Sequence, residues 1–262
     1  MDLPDKTALL RALHRDERPL ILPNAWDAAS ARVLAGAGFG AIATGSHAVA
    51  ESLGYDDGEA APPEEMFAAA GRIARSVSVP VSIDTESGYG LVPEELAGLL
   101  RDAGAAGCNL EDTVHRRRDP SDGAAGRSLA DVKAQAERLG ALRDADGDLV
   151  INARTDVFEN RAMPGASDEE RLEEAVARAH AYLDAGADSI FPIMVSDEAL
   201  ITALVERIPG PVNVLYRPGS PSLARLGELG VARVTFGPGL HRATLTLLAG
   251  LADKIRAGTN PY

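Results

Sequence analysis

The chain has 262 residues, 45% hydrophobic and 25% charged, with a formal net charge of −13. Such a length can bury a large core without disulfides or a structural metal, and the acidic balance argues against a nucleic-acid partner and an anionic membrane surface. A single cysteine, Cys108, excludes an intramolecular disulfide, and the charged opening stretch MDLPDKTALLRALHRDE carries no apolar segment, which together point to a cytoplasmic protein.

Along the chain a short apolar run, a polar turn and an amphipathic helical stretch recur. The runs are Leu20–Leu22, Ala41–Thr44, Val81–Ile83, Gly107–Leu110, Leu149–Ala153, Ser189–Ile193, Val212–Leu215 and Arg233–Phe236. Between them, PEELAGLLRDA (Pro93–Ala103) opens on proline and keeps its apolar residues on one face, and Glu169–Ala185 has the clearest helical period. Helices stop at Ala-Gly steps ending in Gly38, Gly104 and Gly186, where glycine enters the left-handed region freely. Eight strand–helix units predict a (β/α)8 TIM barrel spanning residues 1–262 as a single domain, with an open doubly wound sheet as the alternative.

In such a barrel the chemistry sits where strands end. The third run reads VSIDTESGYG, and alternation puts Asp84 and Glu86 on one face; the fourth reads CNLEDT, with Asn109 and Glu111 on one face and Cys108, Leu110 and Asp112 on the other. Three carboxylates on one rim repel unless a hard cation holds them, and Mg²⁺ suits oxygen ligands. Asp57, in SLGYDDGE, is a candidate fourth acid. The alternative for each acid is a helix cap or a solvated loop charge.

INARTDVF places Asn152, Arg154 and Asp156 on one face, and Arg154 either clamps a substrate carboxylate or pairs with a neighbouring acid. The Thr44-Gly45-Ser46 turn offers hydroxyls and N–H groups for an oxyanion. Asn24, Trp26 and Asp27 close the first run; Asn213 and Tyr216 belong to the seventh, and Arg217 reads as a loop charge. His47 beside the turn and His115 in the polar loop Val114–Gly126 are candidate proton carriers, as is Tyr216. Arg116, Arg117 and Arg118 read as a solvated run or as a lid for an anion. Cys108 precedes its strand end and reads as core.

The segments PNAWDAASARVLAGAGFGAIATGS, SLGYDDGE, VSIDTESGYG, GAAGCNLEDT, INARTDVF, GADSIFP and PVNVLYRPGSPSLARLGELGVARVTFGP, in this order from Pro23 to Pro238, resemble the isocitrate lyase/phosphoenolpyruvate mutase superfamily. The resemblance implies a (β/α)8 barrel, a homo-oligomer (dimer or tetramer) formed by exchanging a C-terminal helix within Leu240–Ala257, and Mg²⁺ ligated by Asp84 with Glu86 and Glu111 contacting it directly or through water. It implies Asp57 as an acid near the metal, Arg154 as a substrate-binding arginine, and a substrate carboxylate on the Thr44-Gly45-Ser46 backbone. The Lys-Lys/Arg-Cys-Gly-His motif of isocitrate and methylisocitrate lyases and the Lys-Thr-Asn-Ser-type segment of the mutases are both missing after the fourth run, which points to the carboxyvinyl-carboxyphosphonate phosphorylmutase-like branch. The expected activity is an Mg²⁺-dependent lyase that cleaves a C–C bond of a small anionic 2-oxo or 2-hydroxy dicarboxylate through an enolate, as an oxaloacetate decarboxylase would. Arg154, Asp57 and His47 are the expected catalytic residues, and Thr44, Gly45, Ser46, Arg154 and Asn213 the substrate-binding ones. Phosphonate-type C–P chemistry and a non-catalytic metabolite-binding barrel are the alternatives.

Overall fold

The computed structural model describes residues 1–115, 128–159 and 162–262. Eight parallel strands form its centre. They are β1 (Leu20–Leu22, resuming after Pro23 as Asn24–Ala25), β2 (Ile42–Thr44), β3 (Val81–Asp84), β4 (Gly107–Glu111), β5 (Val150–Thr155), β6 (Ser189–Pro192), β7 (Asn213–Leu215) and β8 (Arg233–Thr235). Each of the eight apolar runs is a strand, with ends moved by a residue or two.

The ring closes at the first strand. Leu20–Leu22 pairs with β8, while Asn24–Ala25 pairs with β2. Pro23 lies at the changeover, where its missing N–H breaks no ladder. A single parallel bridge, Ile190↔Val212, joins β6 to β7. This closure makes a barrel and removes the open-sheet alternative.

Helices follow the strands as the sequence patterns require. Asp168–Asp184 starts at a capping box in which Ser167 and Glu170 satisfy each other's backbone N–H, and three acids occupy its first turn. Pro93–Ala103 ends on Gly104 in the left-handed region (φ 79°). Outward-facing strand residues such as Ile42, Ile83, Leu110 and Ile151 pack under these helices in the main core.

Inward-facing residues form two layers. At the N-terminal end, helix Leu3–Leu13 plugs the barrel, and Leu10, Leu20, Leu22, Ala41, Ala43 and Val150 form a separate apolar cluster. Gly107 is obligatory there, since a Cβ would lie 2.7 Å from the Val150 carbonyl and 2.9 Å from Leu10. Above this, the interior is polar. Arg233, wholly buried, reaches across the barrel to Ser82 Oγ (3.4 Å) and Asn109 Oδ1 (3.2 Å). Asn152 Nδ2 donates to Asn109 Oδ1 (2.8 Å), and Ser189 Oγ donates to Asn152 Oδ1 (2.6 Å). Burial pushes the Arg233 guanidinium down to about 9.

The plug carries a pH-sensitive group. His14 caps the first helix, its Nδ1 2.8 Å from the Leu10 carbonyl, and burial followed by the Arg233 charge lowers it to about 4. A depressed histidine resists the proton that the unfolded chain accepts. Stability is therefore complete above pH 6.5 and is lost as pH falls through 4, by about 3 kcal/mol at most from this group. Urea titrations of wild type and His14→Gln between pH 7 and 4 should converge as the pH drops; parallel curves would refute the assignment.

The C-terminal helix Gly239–Arg256 leaves the barrel body. Of its residues only His241 is buried, while Leu245, Leu247, Leu248 and Ile255 are exposed, Leu247 at 65%. Among the described residues no helix is long and apolar enough to cross a membrane.

Candidate active site

The C-terminal mouth gathers its charged groups by strand register. Asp84 pairs with Asn109, and Glu111 pairs with Arg154 on β5. Alternation then points Asp84, Glu111 and Arg154 into the mouth, above the polar interior.

Asp84 is seated by the β2 turn. Its backbone N–H donates to Thr44 Oγ1 (3.0 Å), and its Oδ2 accepts the Ser46 N–H (3.0 Å) at the start of helix Ser46–Leu53. The helix N-terminus favours an anion there. Of the Thr44-Gly45-Ser46 turn, expected to hold a substrate carboxylate, the Ser46 N–H holds the Asp84 carboxylate and the Thr44 hydroxyl accepts the Asp84 N–H. Ser46 Oγ also donates to Asp57 Oδ1 (3.3 Å), which brings Asp57 to the same turn.

Glu86 and Glu111 are buried, and each has both carboxylate oxygens engaged. Glu86 accepts the Glu59 N–H (2.6 Å) and the Tyr89 hydroxyl (2.7 Å). Burial pushes it up to about 7, with the charges of Asp57, Glu111 and Asp84 adding to the rise. Glu111 faces His115 Nε2 at 2.6 Å and Arg154 Nη1 at 2.8 Å. Burial raises it against the pull of Arg154, and Glu111 in turn raises His115 despite that ring's own burial.

No three His, Cys, Asp or Glu side chains among the described residues converge closely enough to hold a metal ion. Of the two contacts expected of Glu86 and Glu111 with an ion on Asp84, direct or through water, the direct one therefore has no converging cluster behind it among the described residues. The donors are nevertheless hard oxygens around one rim, and Mg²⁺ commonly takes one or two carboxylates and keeps several waters. The set fits an ion held by Asp84 directly and by Asp57 and Glu111 through water, while the Glu86 oxygens face the Glu59 N–H and the Tyr89 hydroxyl.

Of the two readings the sequence allowed for Arg154, the structure shows the pairing with neighbouring acids. Its Nε and Nη2 grip Asp156 bidentately (2.6 and 2.9 Å) while Nη1 meets Glu111. Burial alone would lower this guanidinium, but Asp156 and Glu111 outweigh it and hold it above its usual range. These contacts engage three of its five N–H donors. Asp156 is anchored in turn by the Thr113 hydroxyl (2.6 Å), and its N–H donates to Asp112 Oδ1 (2.9 Å). Asp112 faces away from the mouth and accepts Arg178 Nη1 (3.0 Å) and the Tyr182 hydroxyl (2.8 Å).

Other expectations land elsewhere. Asn213, expected at the rim, is wholly buried at the start of β7, where its Oδ1 accepts the Thr235 hydroxyl (3.3 Å); alternation put it on the inner face but one layer too low. Asn24 ties the mouth together, donating to the Thr44 carbonyl and accepting the N–H groups of Phe236 and Gly237. Asp27 is a helix cap with Ser30. Trp26 packs on the His241 ring and Tyr216 on Phe236. His47 lies on the outer side of the turn, 3.4 Å from Asp57 and 3.3 Å from Arg242. Cys108 is buried, its thiol pushed up to about 12 by burial, so it is core and not a nucleophile. Arg116, Arg117 and Arg118, with most of the Val114–Gly126 loop, lie outside the described residues; the loop's flanks pair as a short antiparallel ladder, Thr113–Val114 with Ser128–Leu129.

Glu59, Tyr89, Thr113 and Arg178 were not anticipated. Glu59 and Tyr89 lie in irregular loops without periodicity, and Arg178 is 66 positions from Asp112, a pairing no local pattern reveals.

The phosphoenolpyruvate phosphomutase family model matches residues 10–256. A Mycobacterium tuberculosis protein of uncharacterized function is 34% identical over 246 residues, covering 94% of this chain and 88% of the relative. Among solved structures, a proposed phosphonomutase from Burkholderia cenocepacia J2315 superimposes with a TM-score of 0.85 at 44% identity, covering 95% of this chain and 99% of that one. A 2,3-dimethylmalate lyase reaches 0.80 at 27% identity, covering 98% and 89% respectively. With its closed barrel and acidic mouth, the chain belongs to the phosphoenolpyruvate mutase/isocitrate lyase superfamily, a group of lyases and phosphomutases.

Proposed function

We propose that this enzyme is an Mg²⁺-dependent lyase that cleaves a C–C bond of a small 2-oxo or 2-hydroxy dicarboxylate through an enolate, in the manner of an oxaloacetate decarboxylase. The observation that carries the reading is Asp84, seated on a helix N-terminus in the mouth with further buried carboxylates around it. A bound Mg²⁺ supplies Lewis-acid polarisation of the substrate's oxo oxygen. Asp84 would hold the ion, with Asp57 and Glu111 beside it. The two remaining Arg154 N–H donors take a substrate carboxylate, and the grip of Asp156 fixes their direction. The His115–Glu111 pair keeps a proton at the mouth, which favours His115 over His47 and Tyr216 as the proton carrier.

Phosphorus chemistry on a phosphonate or phosphoenol acid is the second reading, favoured by the 44% identity to the Burkholderia protein. Metal-stripped enzyme incubated with oxaloacetate, substituted malates, phosphonopyruvate and phosphoenolpyruvate, with and without Mg²⁺, separates the two. Pyruvate release from a dicarboxylate supports the lyase. Interconversion of phosphorus compounds seen by ³¹P NMR, without dicarboxylate cleavage, replaces it with the second reading. Turnover indifferent to Mg²⁺ sinks the metal role.

The chain assembles as a dimer or tetramer through its C-terminal helix. An exposed row of leucines is costly in water and is covered when a second copy packs on it. Light scattering on wild type should give a multiple of 27.3 kDa, and Leu247→Glu with Leu248→Glu should give the monomer. A monomeric wild type at micromolar concentration would reject the assembly.

A further inference from the structure

Three non-glycine residues beside the site hold left-handed backbone: Glu59 (φ 59°), Glu86 (φ 49°) and Tyr89 (φ 58°). Side chains rarely adopt this region, and it persists only where surrounding contacts over-determine it. Here the contacts are reciprocal. The Glu59 N–H donates to Glu86 Oε2 (2.6 Å), and the Tyr89 N–H donates to Glu59 Oε1 (2.6 Å). The Ser87 hydroxyl donates to the same Glu59 oxygen (2.6 Å), and the Tyr89 hydroxyl closes the ring on Glu86 Oε1 (2.7 Å). Each glutamate thus caps the backbone of the other's loop. Arg138 braces the assembly by donating to the Ser87 carbonyl, and a Cβ at Gly88 would strike its guanidinium.

Glu86 is 3% exposed and both its oxygens are turned to these donors. Two residues before Glu59, Asp57 accepts the Ser46 hydroxyl, and the Ser46 N–H donates to Asp84. The reciprocal caps therefore set where Asp57 stands relative to Asp84.

We infer that Glu86 is a positioning residue that clasps the loop of residues 54–61 onto the loop after β3, holding Asp57 beside Asp84, and that it is not a metal ligand. The clasp stands on the geometry alone. Only the ligand half of the statement rests on the proposed Mg²⁺ site.

The two roles demand opposite things of position 86. A ligand needs a charge and tolerates a shorter arm; a clasp needs the reach and tolerates an amide. Glu86→Gln keeps the reach: its carbonyl oxygen accepts the Glu59 N–H and its amide donates to the Tyr89 oxygen. Glu86→Asp keeps the charge and loses one methylene of reach.

The test is amide hydrogen exchange at Glu59 and Tyr89 together with Mn²⁺ affinity, on the full chain, with Asp84→Asn as the metal control. Glu86→Gln should leave Mn²⁺ affinity within about threefold of wild type and Glu59 exchange near wild type, whereas Asp84→Asn should lose affinity by about tenfold or more. Glu86→Asp should speed Glu59 exchange by about tenfold, as expected for a lost hydrogen bond of roughly 1.4 kcal/mol. Tyr89→Phe, which removes one hydroxyl, should speed it less and keeps the test available if Glu86→Asp folds poorly. Loss of Mn²⁺ affinity in Glu86→Gln to the level of Asp84→Asn overturns the proposal. Unchanged Glu59 exchange in both Glu86→Asp and Tyr89→Phe also overturns it. A wild type that binds no Mn²⁺ defeats the metal reading, and the exchange arm still decides the clasp.

Discussion

Replacing Asp84 with asparagine is expected to lower turnover of whichever dicarboxylate or phosphorus compound the enzyme accepts by about 10²–10³-fold, the usual effect of deleting one preorganised electrostatic group. The substitution is nearly isosteric. An amide oxygen can still accept the Ser46 N–H that the carboxylate accepts at 3.0 Å, so the turn should stay in place. What disappears is the negative charge on a helix N-terminus, the part of the site best suited to a divalent cation. Thermal stability close to wild type combined with lost turnover would locate the defect in chemistry. Retained turnover in Asp84→Asn would remove the basis of the mechanism, because among the described residues no other carboxylate in the mouth accepts a helix N-terminal N–H in this way.

Arg178→Met should cost about 3–5 kcal/mol of stability, the range for stripping the partner from a buried charge. Asp112 and Arg178 meet at 3.0 Å with side chains 0% and 6% exposed. Burial raises the Asp112 carboxyl, and the Arg178 charge is what opposes that rise. Without the guanidinium the carboxylate keeps only neutral donors such as the Tyr182 hydroxyl and the Asp156 N–H. Urea denaturation should show a lower midpoint with an unchanged slope. Adding Asp112→Asn should restore part of the loss, because the stranded charge is then gone. If the double variant is no more stable than the single one, the charge argument is wrong. A second readout follows from connectivity. Asp112 orients Asp156, and Asp156 orients Arg154, so weakened substrate binding should accompany the lost stability.

The barrel was legible because its cause is local. Apolar runs bounded by caps such as the Ser167–Glu170 box and stops such as Gly104 specify strand and helix each in its own window. The inward direction of Asp84 and Glu111 was legible for the same reason, since alternation along Val81–Asp84 and Gly107–Glu111 determines it; Glu86 lies past the end of β3 in left-handed backbone, where alternation no longer applies. How far up the barrel a residue sits was not legible. Asn213 and Arg154 both face inward, but only strand stagger decides that the first is interior and the second lines the mouth. Nor could the sequence show what each acid touches. Asp84, Glu86 and Glu111 look alike as a set of carboxylates, yet one sits on helix N–H groups, one on a neighbouring loop and one on Arg154. Those differences come from residues such as Glu59 and His115, whose positions depend on loops rather than on a periodic element.

The divided first strand governs how this chain reaches its native state. Half of that strand is completed by β8, and Asn24 takes the Phe236 N–H from 212 positions away. The ring cannot shut until Arg233–Thr235 has been made, so a growing chain carries two unpaired strand edges until then. Late closure of this kind slows folding through the entropy of joining distant segments and leaves Leu20–Leu22 of β1 and β7, the two partners of β8, open to pairing with the wrong chain in the interval. Refolding yield should therefore fall steeply as protein concentration rises, with assembly intermediates that contain everything except the β1–β8 seam.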